Sequence, residues 1–261
     1  MNWLPHISAR FFRILQRNSQ VLRRTWKISF LPPILEPVLY LLAFGAGLGL
    51  LVREIFYRGE PVSYVAYIAP ALIAINIMYS AFFENTYASY VRMYYQKTYD
   101  AIMATPLNLD EIITGEIVWG AVKSLMATIL MMAVISFFGL LVYPQAILIV
   151  PIAFVGGFAF GSMAMCFTAL VPHIEVFNFP FFLFITPMFL FSGTFFPLET
   201  LPNWAQVLAH VLPLTHLVAL VRAIAMGSLR GQLLVNLLYL MLFSVLTFIF
   251  AILLMRRRLI N

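Results

Sequence analysis

The feature that most limits what this chain can fold into is a succession of six apolar runs, at 29–52, 64–88, 112–142, 145–171, 178–198 and 231–255. About 20 apolar helical residues cross a hydrocarbon layer, and a helix satisfies every backbone N–H and C=O within the segment. Each run meets that length. The chain therefore reads as an all-α polytopic membrane protein with six transmembrane helices. Composition agrees, since 63% of the 261 residues are hydrophobic and 10% are charged, against about 25% charged in soluble domains. The run at 112–142 exceeds what the layer needs: it would reach about 46 Å, so its first turns stand in the cytoplasm. Its start is legible, with Asn108 as N-cap and Glu111 three residues later completing a capping box.

Basic residues near span ends set orientation. With the N-terminus inside, the inner segments hold Arg10, Arg13, Arg17, Arg23, Arg24, Lys27, Arg92, Lys97, Arg256, Arg257 and Arg258, and the outer ones hold Arg53, Arg58, Arg222 and Arg230. Eleven against four favours both termini in the cytoplasm. The net charge of +6 is thus a topology signal and does not point to nucleic acid.

Between the runs lie three segments of different character. Residues 1–28 form an amphipathic interfacial helix: Arg10, Arg13, Arg17 and Arg24, with His6, fall on one side, and Leu4, Ile7, Phe11, Ile14, Leu15 and Leu22 beside them. Such a helix lies in the inner interface with its basic groups toward lipid phosphates. The cytoplasmic loop 89–111 carries a short helical run with Tyr94, Tyr95, Tyr99, Ile102 and Met103, stopped by Thr105-Pro106. An amphipathic helix there suits a groove on a soluble partner; a loop skimming the interface is the plainer alternative. The outer segment 199–230 holds an Asn203-capped helix ending near Leu212, then a second helix from about Leu214 to Gly227. At about 21 Å the second is too short to span, so the pair reads as a re-entrant helical hairpin. His216 and Arg222 sit six apart on it, on different faces, which argues against a proton relay. Arg222 lies near the C-terminal turn, where the helix dipole or outer headgroups would hold it.

Motifs for chemistry are sparse. No G-x-x-x-x-G-K-[ST] is present, so ATP is not bound by a P-loop. No H-E-x-x-H occurs, and His6, His173, His210 and His216 are assigned to different faces or sides, so no metal or haem site is expected. Cys166 is the one cysteine and excludes an internal disulfide. Gly45/Gly49 and Gly157/Gly161 are small residues four apart, which serve close helix packing within one subunit or a dimer contact. Ionisable residues at membrane depth are expensive and mark function. Glu84, Glu116 and Lys123 qualify as transport-path candidates, with Glu116 and Lys123 on one helix face, while Glu36 beside Pro32, Pro33 and Pro37 anchors the first span. A polytopic enzyme handling lipids, with Glu84, Glu116 and the histidines as acid–base groups, is the competing reading.

Two segments carry a family resemblance. Tyr99-Asp100-Ala-Ile-Met-Ala-Thr-Pro-Leu resembles the coupling region of type-2 ABC exporter permeases. Phe191-Ser-Gly-Thr-Phe-Phe-Pro-Leu-Glu-Thr-Leu-Pro-Asn-Trp, continuing through Leu212-Pro-Leu-Thr-His to Arg222 and Gly227, resembles that family's signature before the last span. The outline matches end to end, and is most similar to the nodulation-factor type of lipo-oligosaccharide export permease; drug and polysaccharide permeases share it. The resemblance implies a homodimer in the bacterial inner membrane, joined to two ABC ATPase subunits that carry the ATP and Mg, with no cofactor in this chain. It implies coupling through Arg92, Lys97, Tyr99, Asp100, Met103 and Pro106 and through the interfacial helix. An amphiphilic or lipid-linked substrate would move outward among membrane lipids. The hairpin, with Phe196, Pro197, His216 and Arg222, would form the outer gate.

Overall fold

The computed structural model describes residues 7–48, 52, 54–57, 59–228 and 232–259. Leu4, His6, Gly49, Arg53, Arg58 and Arg230 of the sequence reading lie outside the described residues. Helix α1 runs Phe12–Leu42 and continues into a π-helical turn, Ala43–Leu48. The boundary expected between an interfacial helix ending at 28 and a span starting at 29 is absent. Thr25, the nearest cap-type residue before it, turns its hydroxyl back to the Val21 carbonyl (3.3 Å) and so continues the helix. Pro32, Pro33 and Pro37 sit inside α1, which a helix in lipid tolerates when neighbours take up the freed carbonyls.

A small antiparallel hairpin follows, β1 Glu54–Tyr57 and β2 Glu60–Ser63, pairing Glu54 with Ser63 and Tyr57 with Glu60. The all-α expectation did not include it. Helix α2 spans Tyr64–Tyr95 and starts where the Ser63 hydroxyl accepts from the Ala66 N–H (3.3 Å). It overruns the expected end at 88 through two π-helical turns, Glu84–Ala88 and Val91–Tyr95. Beyond 88, buried Ser89 donates to Glu116 and Arg92 to Glu84 and Glu116, so neighbours meet these polar groups while the chain stays helical. Arg92 thereby leaves the loop. Helix α3, Thr98–Met103, follows a left-handed turn at Lys97 (φ 52°).

Helix α4, Leu109–Phe137, has the expected start: the Asn108 side chain accepts from the Glu111 N–H (2.9 Å) and the Glu111 carboxylate accepts from the Asn108 N–H (3.0 Å). It ends short of 142. Helices α5 and α6 are Gln145–Leu170 and Ile174–Phe191; α6 stops before 198 because the chain turns through Gly193 (φ 67°). Helix α7, Asn203–Val211, and helix α8, Pro213–Ala225, are bent by 85° at Leu212. Asn203 is the first residue of α7 and not its cap; Pro202 holds that position. Gly227 (φ 69°) ends the α8 region in a conformation that favours glycine. Helix α9, Gln232–Leu259, closes the fold.

Among the described residues five helices, α2, α4, α5, α6 and α9, are long and apolar enough to cross a membrane, and the bent pair α7–α8 makes a sixth only if it is one span. The first expected span lies in α1, which is not among those five. Helices α2, α4 and α5 form the centre. A Cβ on Gly157 would come 3.0 Å from Ala121 Cα and Ser124 Cβ of α4, and one on Gly161 would meet Asn85 of α2 at 2.8 Å. That glycine pair therefore serves packing within the subunit, as close approach in lipid demands.

Candidate transport groove and its two ends

The side chains with unusual chemistry collect at two ends, one beside α3 and one beside the α7–α8 hairpin. At the α3 end, Glu116 of α4 is fully buried and Glu84 of α2 is 5% exposed. Arg92 lies between them. Its Nη1 donates to Glu84 Oε1 (2.8 Å), its Nε donates to Glu116 Oε2 (2.8 Å), and its Nη2 also pairs with Glu116. Lys123 Nζ donates to the other Glu84 oxygen (2.6 Å). Asn18 of α1 donates to Glu116 Oε1 (3.2 Å), and the Ser89 hydroxyl donates to Oε2 (2.8 Å). The seven-residue spacing of Glu116 and Lys123 puts both on the α4 face that meets α2. Buried carboxylates are tolerable only when paired and hydrogen-bonded, and here each oxygen has a donor.

This cluster forms one end of a groove of about 870 Å³ bounded by α1, α2 and α4. Its walls are apolar, with Leu22, Phe30 and Phe83, and Glu36, Asn76 and Tyr79 line it farther along. Helix α1 forms one wall of it, and α1 and the residues just before it are tied to the α3 segment and the start of α4. The Ser8 hydroxyl donates to Glu111, Arg10 Nη1 to the Pro106 carbonyl (2.7 Å), and Arg17 Nη2 to Thr98 Oγ1 (3.3 Å). Arg10 and Arg17 of the expected interfacial set thus contact protein, while Arg13 and Arg24 are exposed. On the α3 segment Tyr99 is buried, Met103 half-buried, and Lys97, Asp100 and Pro106 exposed. Burial pushes the Tyr99 phenol pKa upward.

At the hairpin end, Arg222 is 4% exposed. Its Nε donates to the Tyr67 carbonyl (3.1 Å) and its Nη2 to the carbonyls of Gly193 (2.9 Å) and Thr194 (3.4 Å). The guanidinium stacks 3.8 Å from the Tyr67 ring centre and 5.6 Å from that of Tyr57, on the β-hairpin. The Tyr67 hydroxyl also donates to the Gly193 carbonyl (3.0 Å). The expectation that the helix dipole or headgroups hold Arg222 is corrected: the turn after α6 and the α2 backbone hold it. Planar, stacked, multi-donor recognition of this kind is specific to arginine. Pro197 is buried nearby in sequence and Phe196 is 56% exposed. His216 is not part of this assembly; it stacks on Tyr239 of α9 (3.8 Å) and bonds to Asn236 (2.8 Å) and the His210 carbonyl (2.9 Å).

The structure thus unites Glu84, Glu116 and Lys123 and adds Arg92, which sequence reasoning grouped with the loop. Several contributors were missed. Asn18 gave no signal beyond being polar on an amphipathic helix. Asp110 pairs with Arg256, and Arg258 donates to the Val171 carbonyl at the end of α5 (2.7 Å); the capped start of α4 and the basic end of α9 were the available hints. Among the described residues no group of three or more His, Cys, Asp or Glu could hold a metal ion.

Comparison with known proteins matches residues 9–226 to the ABC-2 type transporter family. Nodulation protein J of Sinorhizobium fredii is 34% identical over 99% of this chain and 97% of its own length. Nodulation protein J of Rhizobium meliloti is 32% identical over 98% and 96%. The inner membrane transport permease YadH of Escherichia coli is 24% identical over 75% of each chain. Such a family pairs its membrane subunit with an ABC ATPase partner, and the lipid-enzyme reading gives way to a transport one. The chain is a multi-pass membrane protein belonging to the ABC-2 type transporter family.

Proposed function

We propose that this chain is the permease half of an ATP-driven exporter of amphiphilic or lipid-linked molecules, of the lipo-oligosaccharide kind. It works as a homodimer in the bacterial inner membrane with two ATPase subunits, which hold ATP and Mg, and both its termini are cytoplasmic. The α3 end is the cytoplasmic end. Substrate enters the groove from the inner leaflet and leaves past the α7–α8 hairpin, with Arg222, Phe196, Pro197 and His216 at the outer gate.

The observation that carries this reading is the groove: apolar walls for a chain, and a floor of Glu84, Arg92 and Lys123 for a polar head. Coupling is supported by the ties from Ser8, Arg10 and Arg17 to Glu111, Pro106 and Thr98. A push on the exposed Lys97–Asp100 face of α3 then moves α1, which forms one wall of the groove. The resemblance to lipo-oligosaccharide export permeases, together with relatives named nodulation protein J, supports the substrate class. The test is co-purification with the ATPase and reconstitution in vesicles, followed by ATP-dependent movement of a labelled lipo-oligosaccharide. ATP hydrolysis that responds to no amphiphile, with no transport, rejects the proposal.

A further inference from the structure

The charges at the α3 end of the groove do not balance. Arg92 and Lys123 are matched by Glu84 and Glu116. Arg17 also lines the groove; its guanidinium hydrogen-bonds only neutral oxygens, Asn18 Oδ1 (3.0 Å) and Thr98 Oγ1 (3.3 Å), and feels Glu116, already paired with Arg92, only through space. Three cations therefore face two carboxylates. The remaining carboxylate of the groove, Glu36, lies 19 residues farther along α1, about 28 Å away. Donors are also left over. A guanidinium has five N–H groups and an ammonium three; two of Arg17's and one of Lys123's are used. The Lys123 side chain keeps 30% exposure.

The geometry points to a headgroup subsite: Arg17 and Lys123 receive a single phosphate-type anion carried by the amphiphile, and its chain lies along Leu22, Phe30 and Phe83. This rests on the export reading above and narrows its substrate to anionic amphiphiles. An anion entering there offsets the surplus positive charge of the floor, and it does so in a low-dielectric setting where a charge-assisted contact is strong. Arg17 is also bonded to Thr98, the first residue of α3, so headgroup arrival is felt where the ATPase partner would dock.

Trp119 lines the same groove and makes the test direct. The full-length permease–ATPase complex, with Trp3, Trp26 and Trp204 replaced by Phe, is placed in phosphatidylcholine nanodiscs. Trp119 emission is followed during titration with oleoyl lysophosphatidic acid, with monooleoylglycerol and with inorganic phosphate. The acid should bind about tenfold tighter than the neutral lipid, the scale of one charge-assisted hydrogen bond. Arg17→Gln should cut that advantage to less than about threefold, and Arg17→Lys should keep most of it. In the unsubstituted complex the advantage should shrink as salt rises, which keeps the proposal testable if Arg17→Gln does not fold. Equal affinity for the two lipids overturns the subsite and leaves export standing. Inorganic phosphate binding as tightly as the acid assigns the basic end to a free ion and overturns the lipid-headgroup source. ATP hydrolysis that responds to neither lipid nor to a lipo-oligosaccharide, with no transport in vesicles, overturns export itself.

Discussion

Arg92→Met removes the one cation shared by two buried carboxylates, and its cost follows from what is left behind. Glu116 is fully buried and keeps only Asn18 (3.2 Å) and Ser89 (2.8 Å) as donors. Glu84 keeps Lys123 (2.6 Å), so the loss falls mainly on Glu116. Breaking one side of a buried pair costs about 3–5 kcal/mol, because the orphaned charge has lost its solvent and its partner. For a chain of this size that corresponds to a melting shift on the order of 10 °C. Thermal unfolding of the purified permease, followed by tryptophan emission, measures it. Adding Glu116→Gln to Arg92→Met removes the orphaned charge while keeping an oxygen for Asn18 and an N–H that the Ser89 hydroxyl can turn to accept, and should restore more than half of the shift. A shift under about 2 °C for Arg92→Met would show that water already reaches Glu116 and refute the reasoning. Failure of the second substitution to rescue would locate the damage in packing, not charge.

Three further expectations use other contacts. Gly120→Ala places a Cβ 1.8 Å from the buried Asn85 amide nitrogen and should lower stability by about 1–3 kcal/mol, whereas Gly47→Ala meets nothing within 4 Å and should be neutral in the same melting assay. Glu111→Ala removes both the α4 capping box and the Ser8 contact; it should cost about 1 kcal/mol and weaken the stimulation of ATP hydrolysis by substrate. Arg222→Ala should reduce export at least tenfold, roughly the effect of losing charge-assisted hydrogen bonds, while the ATPase still co-purifies. Arg222→Lys should not rescue it, because an ammonium cannot both stack on Tyr67 and reach three carbonyls; loss of the complex would instead make Arg222 a folding residue.

The apolar runs made the helices legible because lipid leaves the backbone no alternative, and the Asn108–Glu111 pair marked the start of α4 because its chemistry is local. Span ends were less legible. Where polar residues follow an apolar run, sequence alone does not tell a loop from a helix whose polar groups are met by neighbours. Residues 89–95 read as part of the cytoplasmic loop, with Tyr94 and Tyr95 on a short helix there, and are instead the continuation of α2. The same limit hid the site. Glu84, Glu116 and Lys123 stood out as ionisable groups at membrane depth, but Arg92 and Asn18 join them only through the crossing of α2, α4 and α1. Arg222 was visible as an arginine near a helix end. Its partners are the carbonyls of Gly193 and Thr194, just under 30 residues before it, and the Tyr67 carbonyl and the rings of Tyr57 and Tyr67, more than 150 residues before it, and carbonyl groups leave no trace in a sequence.

Those distant partners put both ends of the molecule on one helix. Helix α2 gives its Tyr67 carbonyl and ring to Arg222 and, 25 residues later, gives Arg92 to Glu84 and Glu116. The two contacts are about 37 Å apart along the axis. The middle of α2 is buried, from Ile68 through Met78, so it cannot bend freely into a close-packed core. Its irregular part lies beside the cluster, in the π-helical turns Glu84–Ala88 and Val91–Tyr95, and such turns are frequent at functional sites. A rigid rod with a deformable end transmits displacement from that end to the other. Rearranging the Glu84–Arg92–Glu116 cluster as α1 and α3 move would therefore shift Tyr67, and with it the carbonyl that Arg222 holds. If the hairpin is the gate, as proposed above, its gating needs no separate signal, because Arg222 is held by a backbone atom of the helix that carries Glu84 and Arg92.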